Sequence, residues 1–312
     1  MESYMFSADI KKDIKKLCIY DNYHGLCAVA LDCMVVVFSI ALSQYSYLFY
    51  PLALVLIGSR QRALATILHE AAHGALSKNK VLNKFVGTYC SGYLICQAWV
   101  AYKRSHVVSH HHALGDIGVD PDYKYYMASG VYEVMSSMRF FNRFFLRPVL
   151  FLNAFSSVRY LIVNRLLNRS MRDELPSILM SQLLIFFVLY YAVGSYAYFF
   201  YWLLPYFTTF QALTWFIELS EHYPMVRDAP SNLYATRNRF GGSVEHFLTS
   251  MHGENFHLIH HLFPGIPFWN LRKAHNVLLR DREYAALNSK FGGIFTSSNI
   301  TAPMWSFLLF AK

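Results

Sequence analysis

Charge is what this chain has little of. Only 15% of its 312 residues are Asp, Glu, Lys or Arg, well below the roughly one quarter usual in a soluble globular domain. The scarcity is concentrated: no Lys or Arg occurs from Leu17 to Ser59, and none from Asp173 to Val226. Acidic residues are scarcer than basic ones, 19 against 28, for a formal charge of +9. The basic residues flank apolar segments and are not interleaved along a polar domain, which excludes nucleic acid and points to an anionic membrane surface. The five cysteines (Cys18, Cys27, Cys33, Cys90 and Cys96) include no CxxC pair and no metal-ligand spacing. They exclude a disulfide framework and read as free thiols in a reducing compartment. The N-terminus does not read as a cleavable signal: its polar stretch is long and the apolar run that follows outlasts a signal's core. There is no internal repeat and no low-complexity linker.

What remains is apolar: 55% hydrophobic and 17% aromatic. Each Lys/Arg-free gap accommodates two membrane helices of about 20 residues. The first predicts helices near Leu26–Leu42 and Tyr47–Leu68 with Ser43–Ser46 as the tip. The second predicts Ile178–Val193 and Ala197–Ile217, turning at Gly194-Ser195, with Pro205 as a kink. Lys11, Lys12, Lys15, Lys16, Arg60 and Arg62 flank the first hairpin; Arg169, Arg172 and Arg227 flank the second. By the positive-inside rule both hairpins enter from the cytoplasm and return to it. The expected fold is all-α and integral to the membrane, a single domain over residues 1–312. It has four transmembrane helices in two hairpins near 26–68 and 178–217. Residues 69–172 and 218–312 form interfacial helices and a cytoplasmic helical cap, with both termini on the cytoplasmic side. Val81–Ala101 is apolar enough to cross, but crossing would separate the histidines on either side of it, so it is expected to be re-entrant or interfacial. Arg139, Arg143 and Arg147 recur at i, i+4, i+8 among Phe140, Phe141, Phe144 and Phe145, and predict an amphipathic helix in the headgroup layer.

Three histidine clusters stand out against this background: His69-Glu-Ala-Ala-His73, His106-Val-Val-Ser-His110-His111-His112 and His257-Leu-Ile-His260-His261. They hold nine of the chain's fourteen histidines. Neutral imidazoles in such numbers suit borderline transition metals, iron above all. His69 and His73, four apart, share a helix face and can grip one ion. The adjacent pairs His110-His111 and His260-His261 cannot share a helical face; they can direct imidazoles to two neighbouring metals, or bridge a helix end to a loop. Any one histidine alone reads as an ordinary hydrogen-bonded residue; three clusters on one membrane face do not.

A rival reading takes His69-Glu70-Ala71-Ala72-His73 as the HExxH of a zinc protease, with Glu70 as general base. Leu76 and Asn79 stand where the extended metzincin pattern needs Gly and His. The chain has no Asp-Gly step to supply a third ligand, and one zinc leaves the two later clusters unexplained. A metal transporter is a further alternative, but transporters place ligands mid-membrane, whereas these lie at or beyond helix ends.

The three clusters resemble the histidine boxes (HX3–4H, HX2–3HH, HX2–3HH) of the membrane-bound fatty acid desaturases and their hydroxylase relatives. Leu114-Gly115-Asp116 and Asp120-Pro121-Asp122 after the second box, and Asn255–Leu271 around the third, extend the likeness over roughly Ile57 to Arg280. The resemblance implies two irons held by His69, His73, His106, His110, His111, His257, His260 and His261. It also implies His222, in the family's place for an additional ligand after the fourth helix. Animal-type acyl desaturases carry Asn one turn before that histidine, holding a metal-bound water; here it is Glu218, which leaves open a carboxylate ligand or an altered water network. His112 makes the second box's register ambiguous; Leu-Gly-Asp follows at the family's distance if His110 and His111 are the ligands. Glu70, Asp116, Asp120, Asp122, Glu245 and Asn255 are candidates to orient the imidazoles, and His246 and His252 are either such partners or structural.

The implied activity is O2-dependent: loss of two hydrogens from neighbouring carbons gives an alkene, and delivery of oxygen gives an alcohol. No cytochrome b5-like His-Pro-Gly-Gly is present, so the implied electron donor is a separate ferredoxin or cytochrome b5 chain. The leading expectation is a desaturase acting on an acyl chain borne by lipid, CoA or acyl carrier protein. The alternatives are a hydroxylase and a desaturase of a small non-lipid biosynthetic metabolite.

Overall fold

The structure is a computed structural model that describes residues 2–163, 172–298 and 300–306. Arg169 of the expected charge flank lies outside the described residues. Among the described residues the fold is helical, and its β structure is one isolated bridge between Glu2 and Ser231. The helices that matter for the site are α1 (Ala8–Lys15), α2 (His24–Tyr45), α3 (Tyr50–Ala72), α4 (Lys103–His110), α5 (Pro121–Ser129), α6 (Leu175–Ala192), α7 (Gln211–His222), α8 (His257–Leu262) and α9 (Leu271–Leu278).

Three stretches are long and apolar enough to cross a membrane: His24–Tyr45, Tyr47–Ala72 and Leu175–Ala192. Leu31, Met34, Val37 and Phe38 of α2 are exposed, as are Leu179, Met180, Leu183, Leu184 and Phe187 of α6. Such rows of exposed apolar side chains are unsuited to water and suit helices whose solvent is lipid. The helix expected over Ala197–Ile217 is wound differently. Two π-helical turns, Phe199–Leu203 and Tyr206–Phe210, precede α7. Pro205 lies between them and has no N–H to continue the α ladder, so the backbone rewinds around it.

The chain forms two compact units from interleaved segments. One comprises Asp21–Arg104 and Arg147–Trp215, the other Met1–Tyr20, Ser105–Leu146 and Phe216–Lys312. In the first, Ile57, Leu64 and Ala65 of α3 pack with Ile40, Leu189, Tyr201, Trp202 and Phe210. Close approach depends on Gly58, where a Cβ would collide with the Thr209 side chain and the Phe210 backbone. Asp32, Arg60 and Gln61, inside the long helices, have hydrogen-bond partners, which burial in an apolar medium favours. Asp32 of α2 meets Arg60 of α3 at 3.3 Å, and Gln61 donates to the Trp202 carbonyl at 2.9 Å.

Val81–Ala101 does not form one spanning helix. It breaks into Lys80–Thr88, a 3-10 turn Gly92–Ile95 and a short helix at Trp99–Tyr102, with Cys96 in the left-handed region at φ 55°. The carbonyls freed by this break are taken up from the same unit: Gln182 Nε2 donates to Tyr93 O at 2.7 Å and Leu94 O at 2.9 Å, and Trp202 Nε1 donates to Leu94 O at 3.1 Å. An irregular backbone in apolar surroundings survives only with such partners.

In the second unit α1 is amphipathic: Ser7 caps its N-terminus, and Ile10 and Ile14 point inward. They join Leu258 and Ile259 of α8 and Leu271, Ala274 and Leu278 of α9 in one core. The arginine-spaced segment is helical over Ser137–Phe141 and π-helical over Asn142–Leu146, but its apolar face does not point outward as a headgroup-layer helix requires. Phe140 and Phe144 are 0% and 2% exposed, and Phe140 and Phe145 pack on Trp305. A protein core with aromatic partners at hand offered these rings a tighter contact than lipid, and Arg143 turns to Glu133 at 3.2 Å.

Candidate metal centre

Three helices carry histidines into the second unit, and each does so by a local device. α4 is π-wound, and the winding continues as His111 N–H donates to His106 O, an i→i+5 bond of 3.0 Å. A π turn holds roughly four and a half residues, so residues four and five beyond His106 both return to its side. In an α-helix His111 would swing away. The adjacent pair therefore does share a face with His106, and the reason is the backbone winding. α7 ends on His222. α8 begins at His257 with its first N–H groups capped from outside: Asn238 Oδ1 accepts from Leu258 N at 3.1 Å and Ile259 N at 3.4 Å.

The imidazoles gather into two nitrogen clusters. In one, His111 Nε2 lies 3.1 Å from both His106 Nε2 and His260 Nε2. In the other, His257 Nε2 lies 3.0 Å from both His222 Nε2 and His261 Nε2. The ring nitrogens of His110, His222 and His261 are also within 4.8 Å of one another, which adds His110 to the second. The neighbours in sequence thus divide: His110 and His261 go to one cluster, His111 and His260 to the other. A neutral imidazole has one N–H and one lone pair, so it cannot satisfy two ring nitrogens at one edge by hydrogen bonding. Around an ion with metal–nitrogen bonds of about 2.1 Å, however, neighbouring ligands at right angles sit about 3.0 Å apart. The donor set fits a metal.

The far sides of the rings are held by carboxylates. His110 Nδ1 is 3.0 Å from Asp120 Oδ1 and 3.7 Å from Asp122 Oδ2. His257 Nδ1 is 3.3 Å from Glu221 Oε2. Both contacts fix the tautomer that leaves Nε2 free to ligate. Asp120 is completely buried and also caps α5, accepting from Asp122 N and Tyr123 N. Burial, then neighbouring rings and charges, push His222 and His261 well below the usual histidine range, which keeps them neutral as ligands must be. Burial also acts to lower His110, but the hydrogen bond and charge of Asp120 outweigh it and its pKa is raised.

In the other unit, His69 and His73 close α3. Their rings lie 5.0 Å apart, and His69 Nδ1 is 3.3 Å from Glu70 Oε1. Gly74, at φ 74°, ends the helix directly after His73.

The remaining expected residues are placed as follows. Glu218, one turn before His222 on α7, accepts from the buried Tyr126 hydroxyl at 3.3 Å. His112 is exposed, its Nδ1 3.1 Å from Val107 O. Asp116 is exposed and accepts from Gly118 N within its own turn. Glu245 is occupied by the backbone N–H groups of Ile294, Phe295 and Thr296 at 2.6–2.9 Å. Asn255 donates to Arg239 O. His246 is exposed, and His252 stands in the left-handed region against Phe268.

Two participants were not singled out from sequence. Glu221 backs His257, and Arg239 binds Glu221 with both residues 1% exposed. The available signal for Glu221 was its position beside His222 and three residues after Glu218, on the same helix face.

Known proteins agree with this chemistry. The family model described as "Fatty acid desaturase" matches residues 45–290. A dihydrorhizobitoxine desaturase of Bradyrhizobium elkanii is 38% identical over 303 residues, covering 94% of this chain and 86% of that protein. An acyl-lipid (7-3)-desaturase of Diacronema lutheri is 41% identical over a 63-residue stretch, covering 19% of this chain and 13% of that protein. With buried histidine clusters suited to metal and helices suited to a membrane, the chain belongs to the fatty acid desaturase family and is an oxidoreductase that introduces a double bond.

Proposed function

We propose that this protein is an O2-dependent, multi-pass membrane desaturase with a histidine-held pair of irons, acting on a small metabolite of the dihydrorhizobitoxine kind. The observation that carries the metal reading is the pair of nitrogen clusters, three imidazoles around His111 and four around His257 when His110 is included. The long match to a dihydrorhizobitoxine desaturase favours the small metabolite. The second reading is an acyl chain borne by lipid, CoA or acyl carrier protein, favoured by the shorter match.

His106, His111 and His260 would hold one iron, and His69 and His73 are proposed as further iron ligands. His110, His222, His257 and His261 would hold the other. Glu218 is the proposed tenth participant, as a carboxylate ligand or the acceptor for a bound water. When bound, the irons supply oxygen activation and removal of hydrogen from an unactivated C–H bond. The chain's own part is to fix the tautomers through Asp120 and Glu221, keep His222 and His261 neutral, and bury the site from water.

The proposed topology is two hairpins and four crossings, the fourth being the π-interrupted helix ending in α7. The N-terminus, C-terminus and site lie on the cytoplasmic side, within reach of a separate ferredoxin or cytochrome b5. The test is to feed dihydrorhizobitoxine and acyl substrates to expressing cells and compare products by mass. Loss of two hydrogens from the metabolite supports the proposal. Conversion of the acyl substrate alone supports the second reading, and gain of an oxygen overturns desaturation.

A further inference from the structure

We infer that Arg239, which lies outside every histidine box, is a positioning residue for the metal centre and acts on His257 through Glu221. The inference rests on the metal reading above and extends it to a residue without a ligand atom.

Arg239 Nε and Nη2 both donate to Glu221 Oε1, at 3.2 and 3.0 Å. That leaves Oε2 directed at His257 Nδ1, 3.3 Å away. With Oε1 held by the guanidinium and Oε2 at His257, contacts at both oxygens set the carboxylate's rotation. The guanidinium is anchored behind by Thr249, whose carbonyl accepts from Nη2 at 2.9 Å and whose hydroxyl accepts from Nη1 at 3.4 Å. The sequence of contacts runs Thr249, Arg239, Glu221, His257, and ends at His257 Nε2, the nitrogen at the middle of the second cluster. With Nδ1–H given to Glu221, the ring presents its Nε2 lone pair to the metal.

The backbone around Arg239 serves the same end. Arg237 N–H donates to the Glu221 carbonyl at 3.2 Å, and Arg239 N–H to the Asn255 carbonyl at 2.8 Å. Asn238 between them caps α8. Residues 237–239 therefore tie the helix that carries His222 to the helix that carries His257 and His261. All three are at most 5% exposed. A buried arginine on a buried glutamate is weak as a stabilising device, since desolvation offsets most of the attraction. Its value here is orientation.

The test compares Arg239→Met, Arg239→Lys, Glu221→Gln and the Arg239→Met/Glu221→Gln double variant of the full chain in detergent. Cobalt(II) dissociation constants are measured by chelator competition, and melting is followed for the metal-free protein. Loss of a residue that orients a metal-bound histidine typically weakens metal binding about 10–100-fold. Arg239→Met should weaken cobalt by that range and Arg239→Lys by less. The double variant should bind no more weakly than Glu221→Gln alone, because the guanidinium has nothing left to act through. If Arg239→Met does not fold, Arg239→Lys is read against Glu221→Gln in its place. Wild-type affinity in the folded arginine variants overturns the inference, as do losses that multiply in the double variant. Failure of the wild-type protein to bind cobalt or iron at all would instead overturn the metal reading, so the two are told apart.

Discussion

Asp120 offers the sharpest separation of a structural role from a metal-orienting one. Its carboxylate accepts from His110 Nδ1 at 3.0 Å, from Gly115 N at 3.1 Å, and from Asp122 N and Tyr123 N at 3.0 and 3.2 Å. Asp120→Ala removes the α5 cap, worth about 1 kcal/mol, and leaves a buried ring N–H unsatisfied, worth about 1–3 kcal/mol. The metal-free protein should lose about 2–4 kcal/mol in total, or roughly 5–15 °C of melting temperature. Asp120→Asn keeps an oxygen for the cap and for His110 but loses the charge and the acceptor for Gly115 N–H, and should cost about 1–2 kcal/mol, less than Asp120→Ala. Metal binding should respond otherwise: a neutral amide is a poorer partner for a ligating imidazole, so both variants should bind about 10–100-fold more weakly. The assay pairs melting of the metal-free protein with chelator competition on the same preparations. The reasoning is refuted if Asp120→Asn binds metal like the wild type, or if it melts as low as Asp120→Ala.

Other outcomes follow from the same geometry. His111→Ala should lose metal whereas His112→Ala, whose ring is exposed and turned to Val107 O, should retain it; equal losses would place the second box in the other register. Glu245→Ala should destabilise the protein by about 3–5 kcal/mol through release of the 294–296 backbone, with metal content per chain unchanged; lost metal at full stability would return Glu245 to the site. His275 is held down to about 4, chiefly by burial and then by Arg272, as an acceptor for the Tyr284 hydroxyl at 2.8 Å. Its folded pKa lies below the unfolded value, so this contribution is complete above about pH 6.5 and is lost as pH falls through about 4. It amounts to about 1–2 kcal/mol, and His275→Gln should lack that share of the acid sensitivity seen in pH-dependent melting.

The histidine boxes and the long apolar helices were legible in sequence because both are local patterns. Imidazole spacing and a Lys/Arg-free run survive in any tertiary context, and the helices predicted at Leu26–Leu42, Tyr47–Leu68 and Ile178–Val193 are present with ends shifted by one to four residues. The π winding that returns both His110 and His111 to His106 was not legible, since one extra residue per turn changes backbone bonding without changing composition. Glu221 and Arg239 were hidden for a different reason. They are 18 residues apart in the chain and meet only because a segment between helices folds back on one of them. Phe140 and Phe144 show the limit of periodicity: it identified an apolar face but not whether protein or lipid would cover it.

The most direct measurement is the metal content of the full-length protein purified in detergent after expression with iron. The two nitrogen clusters predict two irons per chain, falling in His111→Ala and His257→Ala variants that remain folded. A single zinc, or a wild-type preparation that binds no iron, would contradict the account.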